Sequence, residues 1–342
     1  MNRAVTKIGG RPDAEHALGD AEPRLVAGIR SGERRALAKA ITLIESTRRD
    51  HQSRGQAVLE ALLPHTGHSI RVGISGAPGV GKSTFIETLG LHLIKQGHRV
   101  AVLAVDPSST VTGGSILADK TRMEELARAP QAFIRPSPTG GSLGGVAART
   151  REALLVCEAA GFDVIIVETV GVGQSETAVV RMTDMMVLLQ LPNAGDDLQA
   201  IKKGIVELAD LIVINKADLD PQLARTAQHT ILNALTLMRP SSPHWQPPVL
   251  ALSGIKGEGI ATFWGEVLRY RDTMQATGEF VARRRGQALD WMWTLIDARL
   301  RADFRAHPGV GALLPTTLDA VAAGQLTPAM AAERLLARAR KD

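Results

Sequence analysis

The segment that constrains this chain most is GAPGVGKS, residues 76–83, which fits the pattern G-x-x-x-x-G-K-[ST] at every fixed position. The apolar run IRVGIS precedes it, and the helix-forming stretch TFIETLGLHLIKQG follows from its end. A glycine-rich turn that opens a helix presents backbone N–H groups to phosphate oxygens. The segment therefore predicts a strand–loop–helix unit that binds nucleotide phosphates. The residues expected around those phosphates are Gly76, Ala77, Pro78, Gly79, Val80, Gly81, Lys82, Ser83 and Thr84.

Two side chains of this segment carry chemistry. Lys82 can reach the β- and γ-phosphates, and we assign it a catalytic role there. The hydroxyl of Ser83 is expected to ligate Mg²⁺. A glycine turn with no ligand is the alternative, and the strand and helix that flank the segment disfavour it.

Apolar runs and helical stretches alternate between about residues 69 and 270. The strand candidates are IRVGIS, RVAVLAV, AFIRP, DVIIVE, MMVLLQL, DLIVIN and PVLAL. Most are continuously apolar, which is typical of strands that are buried on both faces. The pattern predicts an α/β fold with a doubly wound, mostly parallel sheet.

The chain is expected to have four parts. Residues 1–20 are polar and contain Gly and Pro, which indicates a flexible tail. Residues 21–68 show helical apolar spacing and form an N-terminal helical extension, residues 69–279 form the nucleotide-binding domain, and residues 280–342 are helical again. The apolar spacing of Leu37, Ile41 and Ile44 predicts one buried helix face, and Thr327 before Pro328 predicts a helix start.

Composition limits the setting in which the protein works. The single cysteine, Cys157, excludes an intrachain disulfide framework, suits a reducing cytoplasm and lies in an apolar run that predicts burial. No apolar run reaches the roughly 18 residues of a membrane span, and the N-terminus lacks the apolar core of a signal peptide. The net charge is +5, but the basic residues are scattered and aromatics make up only 3%. We therefore expect a cytoplasmic protein without a membrane or nucleic-acid partner.

The nucleotide base is expected to be guanine. Asn215, Lys216 and Asp218, in the sequence NKAD, follow the apolar run DLIVIN directly, and ligands of open α/β sheets gather at that end of the strands. The Asp218 carboxylate can accept from guanine N1–H and the 2-amino group, which adenine lacks. Ser253, after the run PVLAL, is placed to lie over the base. An ordinary strand end is the alternative for NKAD alone; together with the phosphate loop the motif predicts binding of GTP and GDP.

Three carboxylates are candidates for the magnesium site. Glu168, to which we also assign a catalytic role, ends the run DVIIVE, and Gly171 follows three residues later, where its N–H could contact the γ-phosphate. Asp106 ends the run RVAVLAV, and Asp119 lies in GGSILADKTRM. Mg²⁺ prefers oxygen ligands in octahedral geometry. The alternatives are a turn carboxylate before a proline for Asp106 and a helix-surface carboxylate for Asp119.

The group that orients the attacking water is a separate question. Gln174 is a candidate catalytic residue, although it lies three residues beyond Gly171, and a Gln that only stabilises its loop is the alternative. The run RRR at 283–285 could donate an arginine, but a solvated helix face or a dimer contact is the stronger interpretation. Without such a group, hydrolysis is expected to be slow alone and faster with a partner.

Several further segments carry a family resemblance. They are AVDPSS, GGSILADKTRM, FIRPSP, LGGVA, ETVGVGQSE, GDDLQAIKKG and NKAD. With them the chain resembles the MeaB/ArgK-type GTPases, the GTP-binding chaperones of methylmalonyl-CoA mutase and related cobalamin-dependent acyl-CoA mutases. The resemblance implies a homodimer held by the C-terminal helices, metal-site carboxylates at Asp106, Asp119 and Glu168, and a nucleotide-sensing loop at 195–204. Two departures, Ala118 where Gly is usual and Asp197 where Glu is usual, remove no functional group.

Three functions are open at this point. The first is a GTPase chaperone that gates delivery of adenosylcobalamin to an acyl-CoA mutase and protects that enzyme. The second is a kinase that acts on a transport protein, which would need an acceptor pocket and a base beside the γ-phosphate. The third is a metal-insertion GTPase, which would need a His- or Cys-rich tract, whereas the nine His here are dispersed.

Overall fold

A computed structural model describes residues 22–105, 123–136, 143–169, 175–193, 206–238 and 241–340. The chain divides into two compact units, Met1–Phe280 and Val281–Asp342. The four-part division expected from the sequence uses other limits and stays a prediction.

The first unit is built on a seven-stranded sheet in which every neighbouring pair is parallel. Its order, β3-β2-β4-β1-β5-β6-β7, puts the strand before the phosphate loop near the centre. The strands are β1 Ile70–Gly76, β2 Val100–Val105, β3 Ala132–Arg135, β4 Val164–Thr169, β5 Met185–Gln190, β6 Leu211–Ile214 and β7 Val249–Ala251. The predicted α/β, doubly wound fold is confirmed, since each apolar run yields one strand.

Helices surround this sheet. In the first unit they are α1 Glu22–Arg30, α2 Arg34–Glu45, α3 Arg49–Leu62, α4 Lys82–Lys95, α5 Glu124–Arg128, α6 Leu143–Ala159, α7 Ser175–Val180, α8 Pro221–Thr236 and α9 Ile260–Ala276, with a 3₁₀ turn at Leu63–His65. Alternate residues of the strands enter apolar clusters on opposite faces, which explains why the strand sequences are continuously apolar.

The two faces of β1 show how the phosphate loop is anchored. Ile74 packs in the cluster that contains Phe85 of α4. On the opposite face, a Cβ on Gly73 would lie 2.7 Å from Cγ1 of Val179, so α7 packs directly against the strand. The strand that leads into the phosphate loop is therefore packed between α4 and α7.

The N-terminal helices cover the second face of the sheet. Leu37, Ile41 and Ile44 of α2 are buried in the cluster that also contains Val167 of β4, which confirms the predicted helix face. Cys157 of α6 is fully buried in the same cluster, as predicted, and burial raises the pKa of its thiol.

The second unit consists of helices. It contains most of α10, Glu279–Ala306, followed by α11 Pro308–Ala322 and α12 Pro328–Ala339. The Thr327 hydroxyl accepts a hydrogen bond from the backbone N–H of Met330, so the predicted helix start is confirmed. Within the ranges that the structure describes, no helix is both long and apolar enough to cross a membrane.

Candidate nucleotide-binding site

The phosphate loop depends on two glycines. Gly76 ends β1, and a Cβ there would lie 2.4 Å from the carbonyl oxygen of Leu189 on the neighbouring strand. Gly81 has φ +93°, a left-handed conformation that a side chain disfavours. Its Cβ would lie 2.8 Å from Nδ2 of Asn215. The first and last glycines of the motif are therefore each required by a close approach. Between them run Ala77, Pro78, Gly79 and Val80, and Lys82, Ser83 and Thr84 form the first turn of α4.

Lys82 lies over this loop. Its Nζ donates to the carbonyl oxygens of Gly76, at 2.7 Å, and Ala77, at 3.2 Å. The residue is buried, although its ammonium group is a compact positive charge with three donors. The geometry therefore places positive charge at the phosphate loop, just where α4 begins, which suits a phosphate group.

Asn215 and Lys216 connect the phosphate loop to the end of β6. Nδ2 of Asn215 donates to the carbonyl oxygen of Val80 at 2.8 Å, and Oδ1 of Asn215 accepts from the backbone N–H of Gly254 at 2.9 Å. Lys216 has φ +60°, and its Nζ donates to the carbonyl oxygen of Gly79 at 2.9 Å. The two side chains thus fix the position of the phosphate loop relative to the segment expected to bind the base.

The Asp218 carboxylate has one oxygen ready to accept hydrogen bonds. Its side chain is only 7% exposed, yet Oδ1 is buried without a hydrogen-bond partner among the described residues. A hydrogen bond from the Ser253 hydroxyl lowers the pKa of Asp218, and the Lys256 ammonium, 3.8 Å from Oδ2, lowers it further. A buried, ionised acceptor without a donor fits the N1–H and 2-amino groups of guanine.

Ser83 and Glu168 meet on the other side of the loop. The Ser83 hydroxyl donates to Oε1 of Glu168 at 3.2 Å, because β1 and β4 are adjacent and Ile74 pairs with Glu168. A hydroxyl and a carboxylate oxygen are ligands that Mg²⁺ accepts, usually with several waters retained. These two residues therefore fit the expected magnesium site. The described part of the chain contains no group of three His, Cys, Asp or Glu that could hold a metal by itself.

Five expectations from the sequence fall on segments outside the described residues. They concern Asp106, Asp119, Gly171, Gln174 and the loop at 195–204. The roles assigned to them remain predictions.

The sequence reasoning missed two residues that shape the base site. Lys256 lies beside Asp218, and its backbone N–H donates to Oγ of Ser253 at 3.2 Å. Oγ1 of Thr88, on α4, donates to the carbonyl oxygen of Gly254 at 2.6 Å. The segment SGIKGEG after β7 could have indicated Lys256, whereas Thr88 carries no recognisable signal in the sequence.

A parallel sheet with a phosphate loop, a hydroxyl–carboxylate pair and an acceptor for guanine defines a P-loop GTPase. The family described as "Methylmalonyl Co-A mutase-associated GTPase MeaB" matches residues 37–309. The chain belongs to this MeaB family.

Three similar proteins come from Caulobacter vibrioides, Escherichia coli and Mus musculus, and two of them are named as GTPases. The chain is 55% identical over 316 residues to a "Putative GTPase" of Caulobacter vibrioides, covering 92% of this chain and 96% of the relative. It is 47% identical to "GTPase ArgK" of Escherichia coli, covering 88% and 91%. It is also 47% identical to "Methylmalonic aciduria type A homolog, mitochondrial" of Mus musculus, covering 95% and 82%.

A solved structure shows the same fold. The crystal structure of "LAO/AO transport system kinase" has 38% sequence identity to this chain and a TM-score of 0.76, with 94% of this chain and 98% of that chain covered. The similarity to this structure and the family match therefore each cover most of the chain.

Proposed function

We propose that this protein is a GTPase chaperone that gates adenosylcobalamin delivery to a cobalamin-dependent acyl-CoA mutase, such as methylmalonyl-CoA mutase, and protects that enzyme. The observation that carries the proposal is the family match over residues 37–309, since the family is associated with methylmalonyl-CoA mutase by name. The similarity to a protein named for methylmalonic aciduria supports it.

The residues of the site have separate tasks in the hydrolysis. Asp218 selects guanine, while Asn215 and Lys216 keep the phosphate loop in place through Val80 and Gly79. Lys82 exchanges its loop carbonyls for phosphate oxygens when the nucleotide binds. A magnesium ion, when bound, neutralises charge on the β- and γ-phosphates.

Ser83 and Glu168 would hold that ion, with Asp106 and Asp119 as further proposed carboxylates near it or its waters. Gly171 would contact the γ-phosphate, and Gln174 would orient the water. We propose that turnover is slow until the mutase completes the site, because a missing cationic group alone costs about 10³- to 10⁵-fold.

We further propose that the protein is a homodimer. Leu289, Met292, Trp293 and Leu300 follow helical spacing on α10, and each is at least 44% exposed. Such a row of exposed apolar side chains marks an interaction surface. A two-fold contact between two copies of this face would remove it from water. We accordingly assign residues 280–342 to dimerisation and residues 69–279 to the GTPase domain.

One experiment tests the proposed function. The purified protein is incubated with γ-³²P-labelled GTP, with and without the apo-form of a cobalamin-dependent mutase, and free phosphate and protein-bound label are both measured. We expect slow release of phosphate that the mutase accelerates, with no label on either protein. Stable label on a protein would instead favour a kinase, and release that the mutase does not change would contradict the chaperone function.

A further inference from the structure

Three buried side chains form a hydrogen-bond chain beneath the phosphate loop. Oγ1 of Thr169 donates to Oγ of Ser75 at 2.9 Å, and Oγ of Ser75 donates to Oε1 of Glu176 at 3.1 Å. All three residues are 1% exposed. These hydrogen bonds therefore connect the end of β4, through β1, to the first turn of α7.

Each hydroxyl of this chain lies next to a residue of the nucleotide site. Ser75 immediately precedes Gly76, whose carbonyl oxygen accepts from Lys82. Thr169 immediately follows Glu168, whose carboxylate accepts from Ser83. The two hydrogen bonds thus join α7 to the backbone on both sides of the expected magnesium site.

A polar side chain is a costly choice for this position. Oε2 of Glu176 has no hydrogen-bond partner in the described parts of the chain, and no described cation forms an ion pair with this residue. The surrounding face of the sheet is apolar, with Val179 and Met186 in the same cluster. Burial of a polar group that is only partly satisfied destabilises a fold, so packing alone does not account for Glu176.

We propose that Glu176 is a positioning residue for the magnesium-dependent step of GTP hydrolysis. By holding Ser75, and through it Thr169, it fixes how far Ser83 and Glu168 lie apart. Glu176 has no hydrogen bond to either of those two residues. It would act through the backbone of β4 beside Glu168, and through the backbone of β1 and the phosphate loop that leads to Ser83 in α4. This inference rests on the proposed magnesium-dependent GTPase function.

A purely structural role of Glu176 predicts a different effect of its removal. If Glu176 only stabilised α7, its removal would lower the melting temperature and would weaken binding of every nucleotide to the same extent. A positioning role instead predicts weaker binding of the metal. Mutation of a residue that orients metal ligands typically lowers metal affinity by about 10- to 100-fold. Nucleotide binding without Mg²⁺ separates the two roles.

The experiment compares Glu176→Ala with Glu176→Gln. Ala removes the acceptor for Ser75, whereas the amide oxygen of Gln retains it. MgCl₂ is titrated into protein with a fluorescent, non-hydrolysable GTP analogue, and GDP affinity is measured in EDTA. We expect Glu176→Ala to raise the Mg²⁺ midpoint by about tenfold or more and to lower kcat, with GDP affinity in EDTA within about threefold. Glu176→Gln should keep the Mg²⁺ midpoint within about threefold of the wild-type value.

Two further variants keep the test decisive. Ser75→Ala interrupts the same chain and should raise the Mg²⁺ midpoint if Glu176→Ala does not fold. Thr150→Val is the control, because Thr150 is also buried but donates only to the carbonyl oxygen of Val146 in its own helix, at 2.9 Å. It should leave the midpoint unchanged.

The outcomes separate this inference from the function on which it rests. An unchanged midpoint in Glu176→Ala and Ser75→Ala, with a normal wild type, would overturn the positioning role alone. An equal loss of affinity for GDP in EDTA would also overturn it. A wild-type protein whose GTP binding ignores Mg²⁺ would contradict the proposed function itself.

Discussion

Gly81→Ala is expected to disconnect the phosphate loop from the guanine motif. Gly81 has φ +93°, and the added Cβ would lie 2.8 Å from Nδ2 of Asn215, a separation that real Cβ contacts do not show. The amide of Asn215 must then move away from the loop. It would lose its bond to the carbonyl oxygen of Val80, now 2.8 Å, and its bond from the N–H of Gly254, now 2.9 Å.

The size of the effect follows from these contacts. A left-handed conformation costs a side chain about 1–2 kcal/mol. Each lost hydrogen bond adds about 0.5–1.5 kcal/mol. The sum is about 2–5 kcal/mol. Typical domains have a stability of about 5–15 kcal/mol, so a domain at the upper end of that range would stay folded. Backbone strain alone should not change GDP affinity, but if even the lower value for the two lost bonds, about 1 kcal/mol, falls on the nucleotide-bound form, the Kd for GDP rises by about fivefold.

Calorimetry of GDP binding measures this change, and Gly97→Ala is the matched control. Gly97 has φ +92°, but nothing lies within 4 Å of its added Cβ. The control therefore carries the backbone strain without the collision, and it should lower stability by about 1–2 kcal/mol while GDP affinity stays unchanged. Normal GDP affinity in Gly81→Ala, or an equal loss in Gly97→Ala, would refute the reasoning.

Other predictions concern stability, assembly and the metal. Glu158 is paired with Arg71 at 2.8 Å in a buried ion pair, so Glu158→Gln should cost about 3 kcal/mol in urea unfolding. Burial would raise the pKa of Glu158, but Arg71 and neighbouring donors outweigh it and lower that pKa. Its stabilisation is therefore present above the ordinary carboxyl pKa and lost as pH falls through the folded value, and the variant should lose less stability in acid. Trp293→Asp with Leu300→Asp should give monomers by light scattering; a persistent dimer would place the interface elsewhere. Ser83→Ala should abolish the strengthening of GTP binding by Mg²⁺ while GDP binding in EDTA persists; an undiminished Mg²⁺ effect would exclude Ser83 as a ligand.

The sequence was informative wherever the signal is local. Continuous apolar runs indicate buried strands because both faces of a parallel sheet are covered, and the seven runs became seven strands. The fixed glycines of residues 76–83 reflect backbone requirements that only glycine meets easily, as Gly76 and Gly81 show.

Contacts between distant segments could not be predicted in this way. The bond from Lys216 to Gly79 spans 137 residues, and that from Thr88 to Gly254 spans 166, so both depend on how the sheet brings strand ends together. Glu176 is similar, since an acid near a helix start usually faces solvent, whereas here it is buried against Ser75. Patterns within one helix do not report which face a neighbouring strand will cover.

The choice of nucleotide by Asp218 is tested most directly by a base-exchange measurement. Affinities for GDP, ADP and xanthosine diphosphate are determined by calorimetry for the wild type and for Asp218→Asn. The wild type should prefer GDP over ADP by about 10⁴-fold, because ADP would leave the open oxygen of Asp218 unpaired. Asp218→Asn should prefer xanthosine diphosphate over GDP, since its amide donates where the carboxylate accepted. Equal affinity of the wild type for GDP and ADP, or an unchanged preference for GDP in Asp218→Asn, would contradict guanine recognition at this site.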